Sequence, residues 1–133
     1  FKQIGERHGP FDLALLPIGA YKPRWFMKDV HCSPEEAVYM HTDLGAKQTL
    51  GVHWGTFHLA DEDYIEPALD LARARTAAGL TSRDVFTLRH GDTLIFGDSP
   101  GEKDFAEAYP MLVERYSQFH GNRSVEHESE RKP

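Results

Sequence analysis

The feature that most constrains the fold is a sharply delimited helix between two short apolar runs. Ser33 is a residue type preferred at a helix N-cap, Pro34 suits the first helical position, and Glu36 completes a capping box. Apolar residues then recur at helical spacing as far as Gly45, a residue type common just after a helix. The pattern predicts a helix over residues 34–44.

The apolar runs on either side of this helix predict two strands, over residues 11–18 and 49–54. Residues 13–16 are all apolar, which is typical of a strand covered on both faces. In the second run, Leu50 and Val52 share one face, because side chains alternate along a strand. A strand, a helix and a strand in this order predict an α/β protein whose helices cover a sheet.

Weaker patterns complete the expected order of strand, helix, strand, helix, hairpin and helix. Breakers and helical spacing place the other helices, and two β-like runs flank a turn. A polar, charged C-terminal segment predicts disorder. The predicted elements are helices over 2–8, 66–78 and from about 105 or 110 onward, a hairpin over 85–96, and a disordered tail over 122–133.

Composition excludes some classes of protein and sets the expected compartment. A net charge of −6 argues against a general nucleic-acid binder, which carries a basic face. No apolar run approaches the roughly 18 residues that a transmembrane helix needs. Cys32 is the only cysteine, which fits a reducing compartment. We therefore expect a cytoplasmic protein, with peripheral contact to a membrane as an option. Because the chain begins with Phe1 and not with an initiator methionine, we also expect the natural N-terminus to lie upstream.

His53, at the end of the second predicted strand, is the strongest ligand candidate among eight histidines. Strand ends are where α/β proteins place ligands, and neutral imidazole is a common zinc ligand. A partly buried histidine bonded to backbone is the competing interpretation, and the pattern alone favours it. His31, just before the helix N-cap, is a candidate for proton transfer, because the helix dipole disfavours its cation. An exposed loop histidine is the alternative.

Other residues carry weaker signals. Tyr21 follows Gly19 and Ala20 at the first strand end, where it could line a pocket or be buried against neighbouring structure. His41 lies on the apolar stripe of the 34–44 helix and is expected to be a core histidine. His90 could belong to a site or to a turn. The acidic run 61–63 is interpreted as a solvated face or a helix start.

Five motifs follow one another in a fixed order within residues 1–96. They are GPFDLALLPIGAY at 9–21, PRWFM at 23–27, His31 followed by PEEA at 34–37, HTD at 41–43 and HWGTF at 53–57. In this order and spacing they resemble the N-acylphosphatidylethanolamine phospholipase D family of metallo-β-lactamase-fold, zinc-dependent hydrolases. Residues from Gly97 onward lie outside the resemblance.

The resemblance implies an αββα sandwich of two similar halves, with mixed sheets, covering helices and two zinc ions between the halves. Residues 1–121 would form the C-terminal half. The histidine of HWGTF, here His53, is the last metal ligand of the family. The HxHxDH ligand motif does not occur in these 133 residues, so the N-terminal half of the domain is an expected partner.

The resemblance also implies roles and chemistry. His31 falls on a histidine near the catalytic centre, and Tyr21 falls in a loop that borders the substrate cleft. The family reaction is hydrolysis of a phosphodiester, N-acylphosphatidylethanolamine or a relative, by water activated between two zinc ions.

The sequence is therefore compatible with two functions. The first is a portion of a zinc-dependent phosphodiesterase, inactive as an isolated chain because catalytic zinc typically needs three protein ligands. On this interpretation the chain alone does not retain zinc. The second is a catalytically silent interaction or dimerisation module without metal. In either case, a surface left by the absent half predicts a homo-oligomer.

Overall fold

The computed structural model describes residues 1–95 and 103–120. Six helices and three strands follow one another along these residues. They are α1 (Lys2–His8), β1 (Leu13–Pro17), α2 (Arg24–Met27), α3 (Pro34–Leu44), β2 (Gln48–Val52), α4 (Glu66–Ala77), β3 (Val85–Phe86), α5 (Phe105–Ala108) and α6 (Pro110–His120).

The strands form one sheet in the order β1-β2-β3, and both pairings are parallel. In the register, Leu15 lies beside Leu50 and Leu16 lies beside Gly51. Parallel neighbours require crossover connections, which α3 provides between β1 and β2, and α4 between β2 and β3. The predicted α/β class is confirmed, and the architecture is consistent with part of a metallo-β-lactamase fold.

Helix α3 begins and ends as its sequence predicts. The Ser33 hydroxyl accepts a hydrogen bond from the Glu36 amide at 3.2 Å, and the Glu36 carboxylate accepts one from the Ser33 amide at 2.8 Å. Gly45 takes the left-handed conformation, with φ of 59°, and its amide bonds back to the last turn. These contacts satisfy backbone groups that a helix end otherwise leaves unpaired.

The core lies between one face of the sheet and the helices α3 and α4. Ala14 and Leu16 of β1 project into it, opposite Val38 of α3 and Leu71 of α4. His41 also faces this core, where its Nδ1 lies 2.9 Å from the Thr49 hydroxyl. The prediction of a satisfied core histidine is therefore confirmed.

The opposite face of β1 and β2 is open, which corrects the expectation that β1 is covered on both faces. Leu13 and Leu15 are exposed, Leu15 by 59%. Leu50 and Val52 continue the same face on β2 and are partly exposed. Only the side of the strand that meets α3 and α4 is covered by the described residues. We call Leu13, Leu15, Leu50 and Val52 the open sheet face.

The prediction of a hairpin over 85–96 is wrong. The structure describes this segment as far as Ile95, and these residues form no hairpin. β3 pairs in parallel with β2, and Leu88 forms an isolated antiparallel bridge with Asp104 instead. The turn at 89–92 does exist, with the Asp92 amide bonded to the Arg89 carbonyl. Long-range pairing with Asp104 thus replaces the local pairing that was predicted between the two β-like runs.

Asp104 joins this later segment to the core. Its buried carboxylate accepts two hydrogen bonds from Arg75 of α4, at 3.0 and 3.2 Å, and one from the Thr87 amide. It also caps α5 by accepting from the Glu107 amide. A buried carboxylate needs such partners, because an unpaired charge is costly to remove from water.

Two expectations concern residues beyond this description. The predicted disordered tail, 122–133, lies outside the described residues, and so does the C-terminal limit of the domain proposed for 1–121. Within 1–95 and 103–120, none of the helices has the length and apolar character needed to cross a bilayer.

Candidate functional site

His53 lies immediately after β2, at the carboxyl end of the sheet, and its side chain is exposed. Its backbone has φ of 61°, a left-handed conformation that is uncommon for residues other than glycine. Such conformations concentrate at functional sites, where the surrounding structure holds them. The ring centre of His53 lies 5.4 Å from that of His31. The structure thus brings together two of the histidines singled out from the sequence.

His31 reaches this position from the loop between α2 and α3. Its amide donates to the Met27 carbonyl at 2.9 Å, and its own carbonyl accepts from the Arg24 guanidinium at 2.9 Å. The same guanidinium contacts both carboxylate oxygens of Glu36 at 3.1 Å. Helix α3 therefore fixes the loop that carries His31. The His31 side chain remains partly exposed beside His53.

A cavity of about 320 Å³ opens beside His53. Apolar side chains such as Phe57, Leu59 and Tyr64 form much of its wall, and all three are exposed. An apolar wall with a few polar groups is typical of a small-molecule site. The wall is formed by residues 19–20, 53–59, 62–64 and Pro67.

The first strand end approaches the second very closely at this cavity. A Cβ atom on Gly19 would overlap the carbonyl oxygen of His53, so only glycine permits this backbone contact. Ala20 follows with φ of 60°, a second left-handed residue other than glycine. The two strand-end loops are thus in direct contact, and a displacement of one affects the other.

Tyr21 lies next to the cavity wall but is itself only 4% exposed. Its hydroxyl donates to the Asp70 carboxylate at 2.6 Å. Burial, together with the negative charge of Asp70, raises the pKa of Tyr21 far above its ordinary value, so the hydroxyl stays protonated. The substrate-binding role predicted for Tyr21 stays a prediction; the observed contacts connect its loop to α4.

Glu62 is a site residue that the sequence interpretation missed. The run 61–63 was expected to be a solvated face or a helix start, but Glu62 is only 7% exposed and lines the cavity. Its carboxylate accepts hydrogen bonds from the Ala20 and Lys22 amides, at 2.5 and 3.0 Å. Glu62 precedes α4, which begins at Glu66, so helical spacing to Glu66 and Asp70 gave no signal for its position.

His90 packs on the other side of the HWGTF segment. Its ring centre lies 4.8 Å from that of Trp54, and its Nε2 lies 3.3 Å from the Trp54 carbonyl oxygen. The His90 ring also fills the space where Gly55 lacks a side chain. The position of His90 is compatible with both interpretations, because the residue lies within the turn at 89–92 and its ring packs against Trp54, next to His53.

The described residues contain no complete set of metal ligands. Within 1–95 and 103–120, no group of three or more His, Cys, Asp or Glu side chains is arranged to hold a metal ion. His53 and His31 offer a pair of imidazoles, whereas catalytic zinc typically takes three protein ligands. A complete metal centre would need ligands in addition to this pair.

Comparison with known proteins finds one matching domain model and several relatives. Residues 2–54 match the β-lactamase superfamily domain model. The chain is 56% identical over 68 residues to the Caenorhabditis elegans N-acyl-phosphatidylethanolamine-hydrolyzing phospholipase D 1, covering 50% of this chain and 19% of that protein. It is 43% identical over 84 residues to the mitochondrial enzyme of the same name from Saccharomyces cerevisiae, covering 62% and 18%. These matches support the resemblance to metallo-β-lactamase-fold proteins of the N-acyl-phosphatidylethanolamine phospholipase D type.

Bacterial relatives extend the same family. An uncharacterized protein of Mycobacterium tuberculosis is 53% identical over 77 residues, which are 56% of this chain and 20% of the relative. The chain thus spans about a fifth of the length of these relatives. The resemblance stated from the motifs is confirmed, and the site residues His31, His53 and Tyr21 remain predictions.

Proposed function

We propose that this chain is a portion of a metal-dependent hydrolase that cleaves a phosphodiester, N-acylphosphatidylethanolamine or a related lipid. The observation that carries the proposal is the placement of His53. It follows β2 in a left-handed conformation, 5.4 Å from His31 and on the wall of an apolar cavity. The names of the worm and yeast relatives supply the substrate class.

Each residue has a separate proposed role. His53 holds a metal ion through one ring nitrogen, and its exposed position beyond β2 leaves the ring accessible. His31 moves a proton at the reacting group, and the loop held by Arg24 keeps it beside His53. The apolar cavity receives the hydrocarbon part of the substrate. Two zinc ions would supply an activated water and stabilise charge on the phosphoryl oxygens.

The remaining metal ligands are proposed to come from the N-terminal half of the same domain. The open sheet face supports this proposal, because exposed apolar side chains on a sheet are normally covered by a second layer. Zinc is expected to bind only when both halves are present. Without that half, the open face is expected to pair with a second copy of the chain and form a homo-oligomer.

A cytoplasmic location with peripheral contact to a membrane is part of the proposal. Trp25 and Phe26 of α2, the short helix before the loop that carries His31, are 72% and 65% exposed. Aromatic side chains of this kind suit the boundary between lipid and water.

The open sheet face also favours a second candidate function, a catalytically silent interaction module without metal. On this alternative, the four apolar side chains of the face bind a protein surface, and His53 carries no ligand. The two candidates differ in their response to changes at the histidines, because only the hydrolase needs them.

The test uses the natural protein that contains this chain, with His53→Ala, His31→Asn and the control His8→Ala on the exposed helix α1. We expect His53→Ala to lose bound zinc together with phosphodiesterase activity. His31→Asn should keep zinc but lower kcat by about a hundredfold or more, the usual scale for a lost proton-transfer group. His8→Ala should match the unchanged protein in both respects.

Metal analysis and initial-rate kinetics on N-acylphosphatidylethanolamine vesicles supply the two measurements. Full activity and full zinc content in His53→Ala would contradict the hydrolase proposal at this site. An unchanged protein that holds no zinc and hydrolyses no phosphodiester would instead favour the interaction module.

A further inference from the structure

Three acidic residues, one before α4 and two within it, each contact the strand-end loop 20–22. Glu62 accepts hydrogen bonds from the Ala20 and Lys22 amides. Glu66, four residues later, pairs with the Lys22 ammonium group at 2.6 Å. Asp70, four residues further, accepts from the Tyr21 hydroxyl at 2.6 Å. Three carboxylates at four-residue spacing thus hold three consecutive residues.

Glu62 differs from the other two acids in what it holds. Both of its oxygens bind backbone amides, whereas Glu66 and Asp70 bind the ends of side chains. A carboxylate that accepts two backbone hydrogen bonds fixes the course of the chain itself. Charge-assisted bonds of this kind are roughly twice as strong as neutral ones.

The loop that Glu62 holds has a backbone that needs support. Ala20 has φ of 60°, a left-handed conformation that is unfavourable for residues other than glycine. The Ala20 amide is one of the two that donate to Glu62. The carboxylate therefore stabilises the conformation in which the Ala20 amide points toward Glu62.

The conformation of this loop affects His53 through direct backbone contact. Gly19, next to Ala20, packs so closely against the His53 carbonyl that a Cβ atom has no space there. Immediately before it, the Ile18 amide donates to the Val52 carbonyl at 2.9 Å. A shift of the 19–20 backbone would thus displace the His53 backbone or remove the contact that restrains it.

We propose that Glu62 is a positioning residue, which holds the 20–22 loop so that Gly19 fixes the backbone and ring direction of His53 at the cavity. The proposal rests on the proposed function insofar as His53 acts in catalysis. Both Glu62 oxygens are already engaged by the loop amides, so its role is to orient the site and not to exchange protons with a substrate. Substitution at Glu62 should therefore disturb His53 through the loop, without any direct contact between the two side chains.

The first test uses the ¹⁵N-labelled 133-residue chain with Glu62→Gln, and Asp61→Asn as the matched control. The glutamine side chain of this variant keeps one acceptor oxygen but turns an NH₂ group toward an amide donor. We expect amide hydrogen exchange at Ala20 and Lys22 to rise about tenfold or more, as for the loss of a charged hydrogen bond. The ring proton resonances of His53 should shift as well.

Asp61 is an exposed neighbour, so Asp61→Asn should leave exchange at Ala20 and Lys22 and the His53 resonances unchanged. A merely structural role for Glu62 would speed exchange equally across the core strands and leave the His53 ring shifts in place. That outcome, or unchanged exchange at Ala20 and Lys22, would overturn the proposal.

A second test separates this proposal from the proposed function. In the natural protein, Glu62→Gln should lower kcat by about tenfold or more while KM changes little, because His53 orientation affects the reacting step. A lowered affinity for substrate with unchanged kcat would contradict a positioning role. If the unchanged protein hydrolyses no phosphodiester, the proposed function fails, whereas the exchange and resonance measurements still decide the role of Glu62.

Discussion

The two faces of the β1–β2 sheet have similar apolar side chains but opposite surroundings. On one face, Leu16 is 6% exposed and packs in the core under α3 and α4. On the other, its neighbour Leu15 is 59% exposed and no described helix covers it. The same five-residue strand therefore contains a completed interface and an open one.

This difference shows what an apolar run can and cannot predict. Four consecutive apolar residues in β1 indicate that both faces avoid water in the complete fold. They do not indicate whether the second covering layer comes from the same 133 residues. On the proposed function, the open sheet face receives a further layer, and this proposal can be tested residue by residue.

The largest expected effect is the difference in the free energy of unfolding between Leu16→Ala and Leu15→Ala. Leu16→Ala removes a buried side chain and leaves a cavity, so the free energy of unfolding should fall by about 2–5 kcal/mol. Leu15→Ala changes a side chain that water already reaches, and the free energy should change by about 0.5 kcal/mol or less. Urea unfolding of the monomeric chain, at low concentration, measures both.

The pair is well matched, because the substitutions are chemically identical and one residue apart. Equal losses of stability in the two variants would mean that the open sheet face is covered in solution, by a second copy of the chain or by another part of it. The comparison between the faces would then fail.

An intermediate effect is expected when the open face is made charged. Leu15→Lys places an ammonium group at the centre of any apolar contact between copies, and burying it is unfavourable. The dissociation constant of the homo-oligomer should rise about tenfold or more, which corresponds to about 1.4 kcal/mol. Light scattering after size-exclusion chromatography, over a range of concentrations, gives this value.

The control is Thr42→Lys, which adds the same charge to the exposed side of α3. It should leave the dissociation constant unchanged. A wild-type chain that is monomeric at every concentration would contradict the oligomer proposal outright, and the open sheet face would then stay uncovered in isolation.

The smallest expected effect is the change in stability with pH that is due to His41, on the covered face of the sheet. Burial lowers the pKa of His41 below its ordinary value near 6.5, with the nearby Asp84 charge acting in the opposite direction. Below about pH 6.5 the unfolded chain binds this proton more readily than the folded chain does. Stability from the neutral ring is therefore complete above about pH 6.5 and is lost as the pH falls below it.

His41→Asn should flatten this part of the profile, because it removes the titrating ring and keeps an amide near the Thr49 hydroxyl. Thermal unfolding between about pH 5 and pH 8 gives the slopes, and the slopes are compared because the variant also loses packing. His8→Gln, on the exposed side of α1, should leave the slope as it is. Identical slopes in His41→Asn and the unchanged chain would show that other groups carry the acid dependence.

Local signals predicted the elements well. The capping box at Ser33 and Glu36, the glycine at position 45 and the proline at position 110 each mark a helix end that the structure confirms. These signals succeed because a cap or breaker acts on the residues beside it. The motif HWGTF likewise identified the strand end that carries His53.

Non-local features were the ones that the sequence could not supply. Leu88 pairs with Asp104 and not with the run after the 89–92 turn, because a distant segment competes with the local hairpin. Glu62 looked like a solvated acid, because nothing near it in sequence reveals the two amides that it binds. Both depend on residues that the fold brings together from about 16 and 40 positions away.

Asp104 has a practical consequence for anyone who shortens this chain. Its carboxylate pairs with the guanidinium of Arg75, a residue that is 6% exposed and that also donates to the Val85 carbonyl. A version that ends before residue 104 would keep a charged guanidinium inside the core without its counter-ion. The minimal expressible unit therefore extends past the sheet and the cavity, as far as the short helix that Asp104 begins.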